Sequence, residues 1–195
     1  MRGLRQSIIA GAADGSLVRP KTAIVEEPLE LDAAQLGHLD FRGVVFASRT
    51  SFRGTVWTGL AWFDGATFRG DADFSGARFD NDARFDKVTF EGDVSFAGCE
   101  FRGVADFDDA LFQKRASFDR ATCSANLSLD ATRFHDKASF CGAELHGGLW
   151  CRGTVFTSID VDRMLVMGRV FPADAAARFF AEPAPRFPRP VAGGS

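Results

Sequence analysis

The stretch Phe63-Asp64-Gly65-Ala66-Thr67-Phe68-Arg69-Gly70-Asp71-Ala72-Asp73 is one copy of a unit that repeats through most of the chain. Its two rings stand five residues apart, and the next copy opens eleven residues on, at Phe74. Phe occupies 41, 52, 63, 74, 85, 96, 107 and 118, and the register continues through Leu129, Phe140 and Cys151. A second series runs five residues behind: Phe46, Trp57, Phe68, Phe79, Phe90, Phe101, Phe112, Cys123, Phe134, Leu145 and Phe156. Seventeen of these 22 centres are Phe, and of the 21 Phe in the chain only Phe171, Phe179, Phe180 and Phe187 fall outside them. Such self-similarity is the mark of a repeat architecture.

Two residues before a centre the side chain is small or β-branched, as at Ala61, Ala66, Ala72, Ala77, Ala83 and Val88. Two residues after a centre Gly recurs, as at Gly43, Gly54, Gly59, Gly65, Gly70 and Gly76. An eleven-residue period also suits a right-handed coiled coil, but five residues turn a helix by about 140° and would split the two series into separate stripes. The repeated Gly and Asp are poor helix formers as well. A plain strand alternates its faces with period two, so a five-residue step would point successive rings to opposite sides. Every centre can face inward only if the chain turns between centres. Gly at the second position past each centre is read as supplying the positive φ of a type II turn. The pattern therefore predicts a solenoid of very short strands joined by tight turns, filled by one side chain per side.

At this point the sequence resembles the pentapeptide-repeat family, whose five-residue unit carries a small residue two before a central Leu or Phe. The match runs from about Leu31 to Phe156. Spacing is five at Leu31, Leu36, Phe41 and Phe46, and then alternates five and six. The resemblance implies an all-β fold, a right-handed quadrilateral β-helix with one unit per side. A coil here would take about 22 residues, the extra ones (Asp71, Asp82, Asp93) bulging at two of the four corners. Residues i and i+22 then stack, giving one ladder through Phe41, Phe63, Phe85 and Phe107, a second through Phe52, Phe74, Phe96 and Phe118, a third through Phe46, Phe68, Phe90 and Phe112, and a fourth through Trp57, Phe79 and Phe101.

Both ends of a solenoid need covering. Residues 1–30 lack the repeat and are read as an N-terminal cap, with a short helix over Leu4 to Ala13, a turn at Asp14-Gly15 and a strand over Thr22 to Val25. The β-helix is expected over 31–160, losing its register where Asp162 takes the next centre. Residues 161–182 read as a C-terminal cap with a short helix beginning at Pro172, and 183–195, with four Pro, as a flexible tail. The competing reading of the C-terminal segment is a homodimer interface, as the resemblance implies.

Chemistry-bearing residues are few. Cys123 and Cys151 replace Phe at centres and Cys99 takes a small inward position, so they read as buried thiols rather than metal ligands. Cys141 completes the set, and no C-x-x-C pair exists. Reduced thiols place the chain in the cytoplasm. His38, His135 and His146 fit no triad or metal spacing, so neither a catalytic constellation nor a cofactor is expected. No apolar run approaches the ~20 residues of a membrane span. With 23 basic and 26 acidic residues the formal net charge is −3, which gives no drive toward direct nucleic-acid binding.

The candidate protein-binding feature is an acidic column immediately after the first-series centres: Asp64, Asp86, Asp108 and Asp130 at 22-residue spacing, bounded by Arg42 and Arg152. One reading is turn chemistry, since Asp accepts backbone N–H bonds. The other, which the resemblance implies, is imitation of a nucleic-acid backbone by a binder of type II topoisomerase (gyrase) with a protective role. From Phe41 to Phe156 there are 16 acidic and 14 basic residues, too balanced for a DNA mimic. The expected function is a non-enzymatic rigid scaffold for a protein partner.

Overall fold

The computed structural model describes residues 2–173. It is a parallel β-solenoid of about seven coils. Strands are mostly two residues long, as at Ala61–Trp62, Thr67–Phe68, Ala72–Asp73 and Arg78–Phe79. Each pairs with its counterpart one coil on: Thr67 with Thr89, Ala72 with Val94, Arg78 with Glu100, Ala83 with Ala105. Every such step is 22 residues, which gives the four ladders expected from the repeat. They form three hydrogen-bonded sheets of eight, twelve and seven strands, because the strand Arg133–Ser139 runs unbroken around one corner and joins two sides. Seven steps between the eight strands of one side make a rod roughly 34 Å tall.

The strand spacing explains why the interior is Phe. Rings within a ladder lie parallel at a separation close to that of the strands: Phe63 and Phe85 at 4.8 Å and 5°, Phe79 and Phe101 at 5.0 Å and 3°. Rings of neighbouring ladders meet edge to face, as Phe74 does with Phe85 at 5.4 Å and 87°. Both arrangements suit the aromatic quadrupole. Trp57, the largest side chain in the core, donates its indole N–H to Thr55 Oγ1 at 2.9 Å, and that hydroxyl donates to the Phe52 carbonyl at 2.7 Å. A β-branched residue at the small inward position thus satisfies the indole N–H inside the core.

The glycines have two separate reasons to be glycine. After first-series centres φ is positive, for example 63° at Gly54 and 66° at Gly65, and a bond such as Ala66 N–H to the Phe63 carbonyl closes the turn. Here the type II reading holds, and Lys87, Asp109, Arg120 and Ala131 adopt the same conformation at their own turns. After second-series centres the expected positive φ is absent. A Cβ on Gly92 would instead lie 2.6 Å from the Gly70 carbonyl carbon, and one on Gly103 would lie 2.5 Å from the Asp82 nitrogen. These corners stack backbone on backbone. Gly92→Ala is therefore expected to cost about 3 kcal/mol through overpacking. Gly54→Ala, whose Cβ meets nothing within 4 Å, should cost only about 1 kcal/mol of left-handed strain. Chemical denaturation of the two variants checks the order, and a costlier Gly54→Ala would contradict it.

The β-coils extend beyond the legible repeat at both ends. Leu17–Val18 pairs with His38–Asp40, Ile24–Val25 with Val45–Phe46, and Leu29–Glu30 with Thr50–Ser51, so coil structure begins inside the segment read as a cap. These pairs are offset by 21 residues, not 22. The shorter first coil puts Val25 beneath Phe46 and Leu36 beneath Trp57. The last coil drops a residue too. Ser139 pairs with Asp160, which brings Val161 rather than Asp162 over Phe140, and Leu145 pairs with Val166. The register is therefore shortened where the sequence reads as failing. The helix α1, Arg2–Asp14, packs on the first coil with Ile8 fully buried, and Arg5 Nε donates to the Glu30 carbonyl at 3.2 Å. The expected C-terminal helix, from Pro172, and the tail lie outside the described residues except for Pro172 and Ala173.

Candidate functional site

The structure does bring Asp64, Asp86, Asp108 and Asp130 into one column along a corner of the rod, but their surroundings differ. Asp108 accepts the Ser128 hydroxyl at 2.5 Å and the Asp130 N–H at 2.9 Å. Asp130 accepts the Arg152 N–H at 2.7 Å and the Arg152 Nη2 at 3.0 Å. The carboxylate ties its own coil to the next, 22 residues on. The same staple recurs half a coil away, where Asp119 accepts the Ser139 hydroxyl and the Cys141 N–H, at 2.5 and 2.9 Å. The corner residues Asp71 and Asp82 likewise accept N–H groups of Asp93 and Val104, at 3.0 and 2.8 Å. The backbone-accepting role foreseen for Asp is present. Its donor is the coil above rather than the residue's own turn.

Asp64 and Asp86 are not stapled in this way. Asp64 Oδ2 is buried with no protein hydrogen-bond partner. Burial, then the hydrogen bond and charge of the neighbouring Asp64 carboxyl, push Asp86 up to about 6, against the opposing pull of Lys87. Asp106, on the strand beside them, is also raised, chiefly by burial. Part of the column thus sheds its charge in mildly acid solution.

A pH dependence follows from the raised carboxyl. Its folded-state value lies above the ordinary carboxylate value, so its penalty is absent below about pH 4, grows between about pH 4 and 6, and is complete above that. Asp86→Asn should therefore stabilise the protein by about 1–2 kcal/mol at pH 7.5, a figure reduced for partial exposure, and leave it unchanged at pH 3.5. Denaturant titrations at the two pH values check this, and a variant less stable at pH 7.5 would contradict it.

Two features were not singled out from the sequence. Asp40 is 1% exposed and lies between two guanidinium groups. Arg42 binds it through Nε at 2.9 Å and Nη2 at 2.8 Å, and Arg19, from the first coil, binds the same carboxylate. The Arg42 hydrogen bond, with Arg19 adding to it, holds the Asp40 carboxyl well below the usual carboxylate range. The second feature is aromatic. Trp62 and Trp150 sit at equivalent outward positions of the eight-stranded sheet, in one row with Asp40, Arg84, Asp106, Ser128 and Phe171. The Arg42 guanidinium lies 4.5 Å from the centroid of Trp62, and Arg152 lies 5.8 Å from that of Phe171. Reading the residue before each centre at 22-residue steps would have found this row.

The remaining candidates stay apart. Cys99, Cys123 and Cys151 are buried and no disulfide joins the four cysteines. Burial pushes the Cys123 thiol up to about 12, and the Cys99 Sγ–H donates to the Phe74 carbonyl at 2.9 Å. His38 Nδ1 accepts the Leu60 N–H at 3.2 Å, and His146 pairs with Glu144 at 3.5 Å. Among the described residues no His, Cys, Asp and Glu are grouped to hold a metal ion, and no helix is long and apolar enough to cross a membrane.

Comparison with known families agrees with the repeat. A family model described as pentapeptide repeats (9 copies) matches residues 31–78, 52–100 and 74–122. No curated protein sequence matches the chain. Among solved structures it is similar to HetL, a pentapeptide repeat protein involved in heterocyst differentiation regulation from the cyanobacterium Nostoc sp. That likeness is 16% in identity, covers 82% of this chain and 95% of HetL, and has a TM-score of 0.17. With its eleven-residue double unit, its four inward ladders and the family model's match over 31–122, the chain carries an array of pentapeptide repeats.

Proposed function

We propose that the protein is a non-enzymatic, cytoplasmic scaffold whose eight-stranded side is the docking face for a protein partner. The observation that carries this reading is the placement of Trp62 and Trp150. Of the three Trp in the chain one fills the core, and the other two stand outward on the same flat side. Four coil steps separate them, roughly 19 Å. Trp and Arg dominate the binding energy of protein interfaces, and this side presents Arg42, Arg84 and Arg152 beside its aromatic residues. A rod with a stacked-ring core holds such groups at fixed separations, so little ordering entropy opposes docking.

The topoisomerase-binding reading needs four exposed, ionised carboxylates. The staples made by Asp108 and Asp130, and the raised Asp86, favour a structural role for the column instead. The test compares the captured proteins when the purified chain and two variants serve as bait in native cytoplasm. Trp62→Ser with Trp150→Ser should lose the partner, by about 30-fold or more in affinity. Replacing Asp64, Asp86, Asp108 and Asp130 together with Asn should keep it. A topoisomerase complex that weakens steeply with salt and disappears in the four-Asn variant would overturn the scaffold reading.

A further inference from the structure

The side of the rod half a coil away from the eight-stranded sheet carries a charge pattern that is complementary to itself. Its strands are Thr50–Ser51, Ala72–Asp73, Val94–Ser95, Ala116–Ser117, residues 137–139 of Arg133–Ser139 and 158–160 of Val155–Asp160. Short side chains point outward from the middle strands, Asp73, Ser95, Ser117 and Ser139, so a trough of about 520 Å³ runs along this side. One edge of it is a column at 22-residue steps: Arg49, Asp71, Asp93, Arg115 and Lys137. On the last coil Asp160 stands beside Lys137, whose ammonium it meets at 3.0 Å. In height order the signs run plus, minus, minus, plus, plus, minus. Turned end over end about the level midway between Asp93 and Arg115, the column has every sign inverted.

A two-fold axis at that level makes an isologous contact, in which each patch meets its own copy reversed. Asp93 then faces Arg115, Asp71 faces Lys137 and Arg49 faces Asp160, each pair occurring twice. Moving the axis half a coil step sets Asp93 on Asp93 or Arg115 on Arg115. Moving it a whole step sets Arg49 on Arg115, or Arg115 on Lys137. Parallel rods would set Arg49 on Arg53. Charge therefore selects one orientation and one register, since like charges in contact are costly. The eight-stranded side has no such register at its centre, where antiparallel pairing would set Asp86 on Asp108 and Asp64 on Asp130. The groups are also available: the side chains of Arg115 and Lys137 are 71% and 50% exposed, and Arg49 and Asp71 form no ion pair among the described residues. Arg115 already binds Asp93 of its own chain at 3.0 Å, so two copies close a ring of four alternating charges at the axis. We infer that this side is a self-association surface and that its occupant is a second, antiparallel copy of the chain. The face is roughly 24 Å tall and one strand wide, at the small end of specific interfaces, so the dimer is weak and reversible. It leaves both eight-stranded sides facing outward.

Sedimentation velocity of the full chain between about 1 and about 300 μM tests this, with dimer expected in the upper part of that range. Raising the salt from about 50 to about 500 mM should weaken association about tenfold, because exposed charges are screened. Arg115→Glu and Asp93→Lys should each weaken it by about tenfold or more, since each sets like charges together at the axis. An equimolar mixture of the two variants should associate about as tightly as the parent. Asp93 of the first then meets Arg115 of the second, and the two introduced charges meet each other. A loss of folding could not produce that recovery. Arg115→Glu alters an exposed side chain, so it decides the matter alone if circular dichroism shows Asp93→Lys unfolded. Three results would overturn the inference: a monomer at every concentration, a dimer that neither salt nor Arg115→Glu weakens, or a mixture of folded variants that associates no better than either variant alone.

Discussion

Phe85→Ala is expected to cost about 3–5 kcal/mol of stability, near the upper end for removing a buried ring. The ring is fully buried, between Phe63 at 4.8 Å and Phe107 at 4.9 Å, with edges of Phe74 and Phe96 against it at 5.4 and 5.3 Å. The backbone cannot move in to fill the space. Phe85 N–H donates to the Asp106 carbonyl at 2.7 Å, and the coil below is tied by Phe63 N–H to the Arg84 carbonyl at 2.8 Å. Strand spacing therefore holds the neighbouring rings apart and most of the cavity remains. Phe90→Ala should behave alike, since Phe68 and Phe112 flank it at 5.0 Å each. Val155→Ala, at a side chain 54% exposed, should stay within about 0.5 kcal/mol of the parent. Denaturant unfolding followed by circular dichroism decides the matter, and equal losses at the three sites would sink the ladder account.

Replacing both Arg19 and Arg42 with Met should cost a comparable amount, about 3–5 kcal/mol at pH 7, because it strands a buried carboxylate. Asp40 is 1% exposed, whereas the side chains of Arg19 and Arg42 are 62% and 45% exposed. The asymmetry sets the order of effects. Asp40→Asn frees two guanidinium groups that reach water, so it should cost less than the Arg pair, and adding Asp40→Asn to the Arg pair should restore part of the loss. The Asp40 carboxyl is held below its ordinary value, so its contribution is present above about pH 4 and fades as the pH falls and the carboxyl protonates. The gap between the parent and the Arg19/Arg42 variant should narrow accordingly between pH 7 and pH 3. A single Asp40→Asn change costlier than the double Arg change, or a gap that widens in acid, would refute the clamp. Since Arg19 belongs to the first coil and Arg42 to the next, the loss should show first as weaker exchange protection at Leu17–Val18.

What could be read from the chain alone was whatever the period carries. A Phe at every eleventh position, shadowed five residues behind, names the inward side chains of all four sides, because covalent spacing decides which residues share a ladder. Phe85 over Phe63 needed nothing but counting. The count also found the acidic column. It failed where the period itself changed: 21-residue coils at both ends put Val25 beneath Phe46 and Val161, not Asp162, over Phe140. Those steps are set by how the end coils close, and no spacing within the repeat announces them. Stacking likewise decided the chemistry of residues that look alike in sequence. Gly54 and Gly92 each stand two residues past a ring, yet one serves a left-handed turn and the other the approach of the coil below. Asp86 and Asp130 occupy the same column, yet one is pushed up to about 6 by burial and a neighbouring carboxyl while the other holds the Arg152 N–H and guanidinium. A repeat specifies which residues become neighbours. The charge, donor or backbone that the next coil sets against each of them exists only once the coils are stacked.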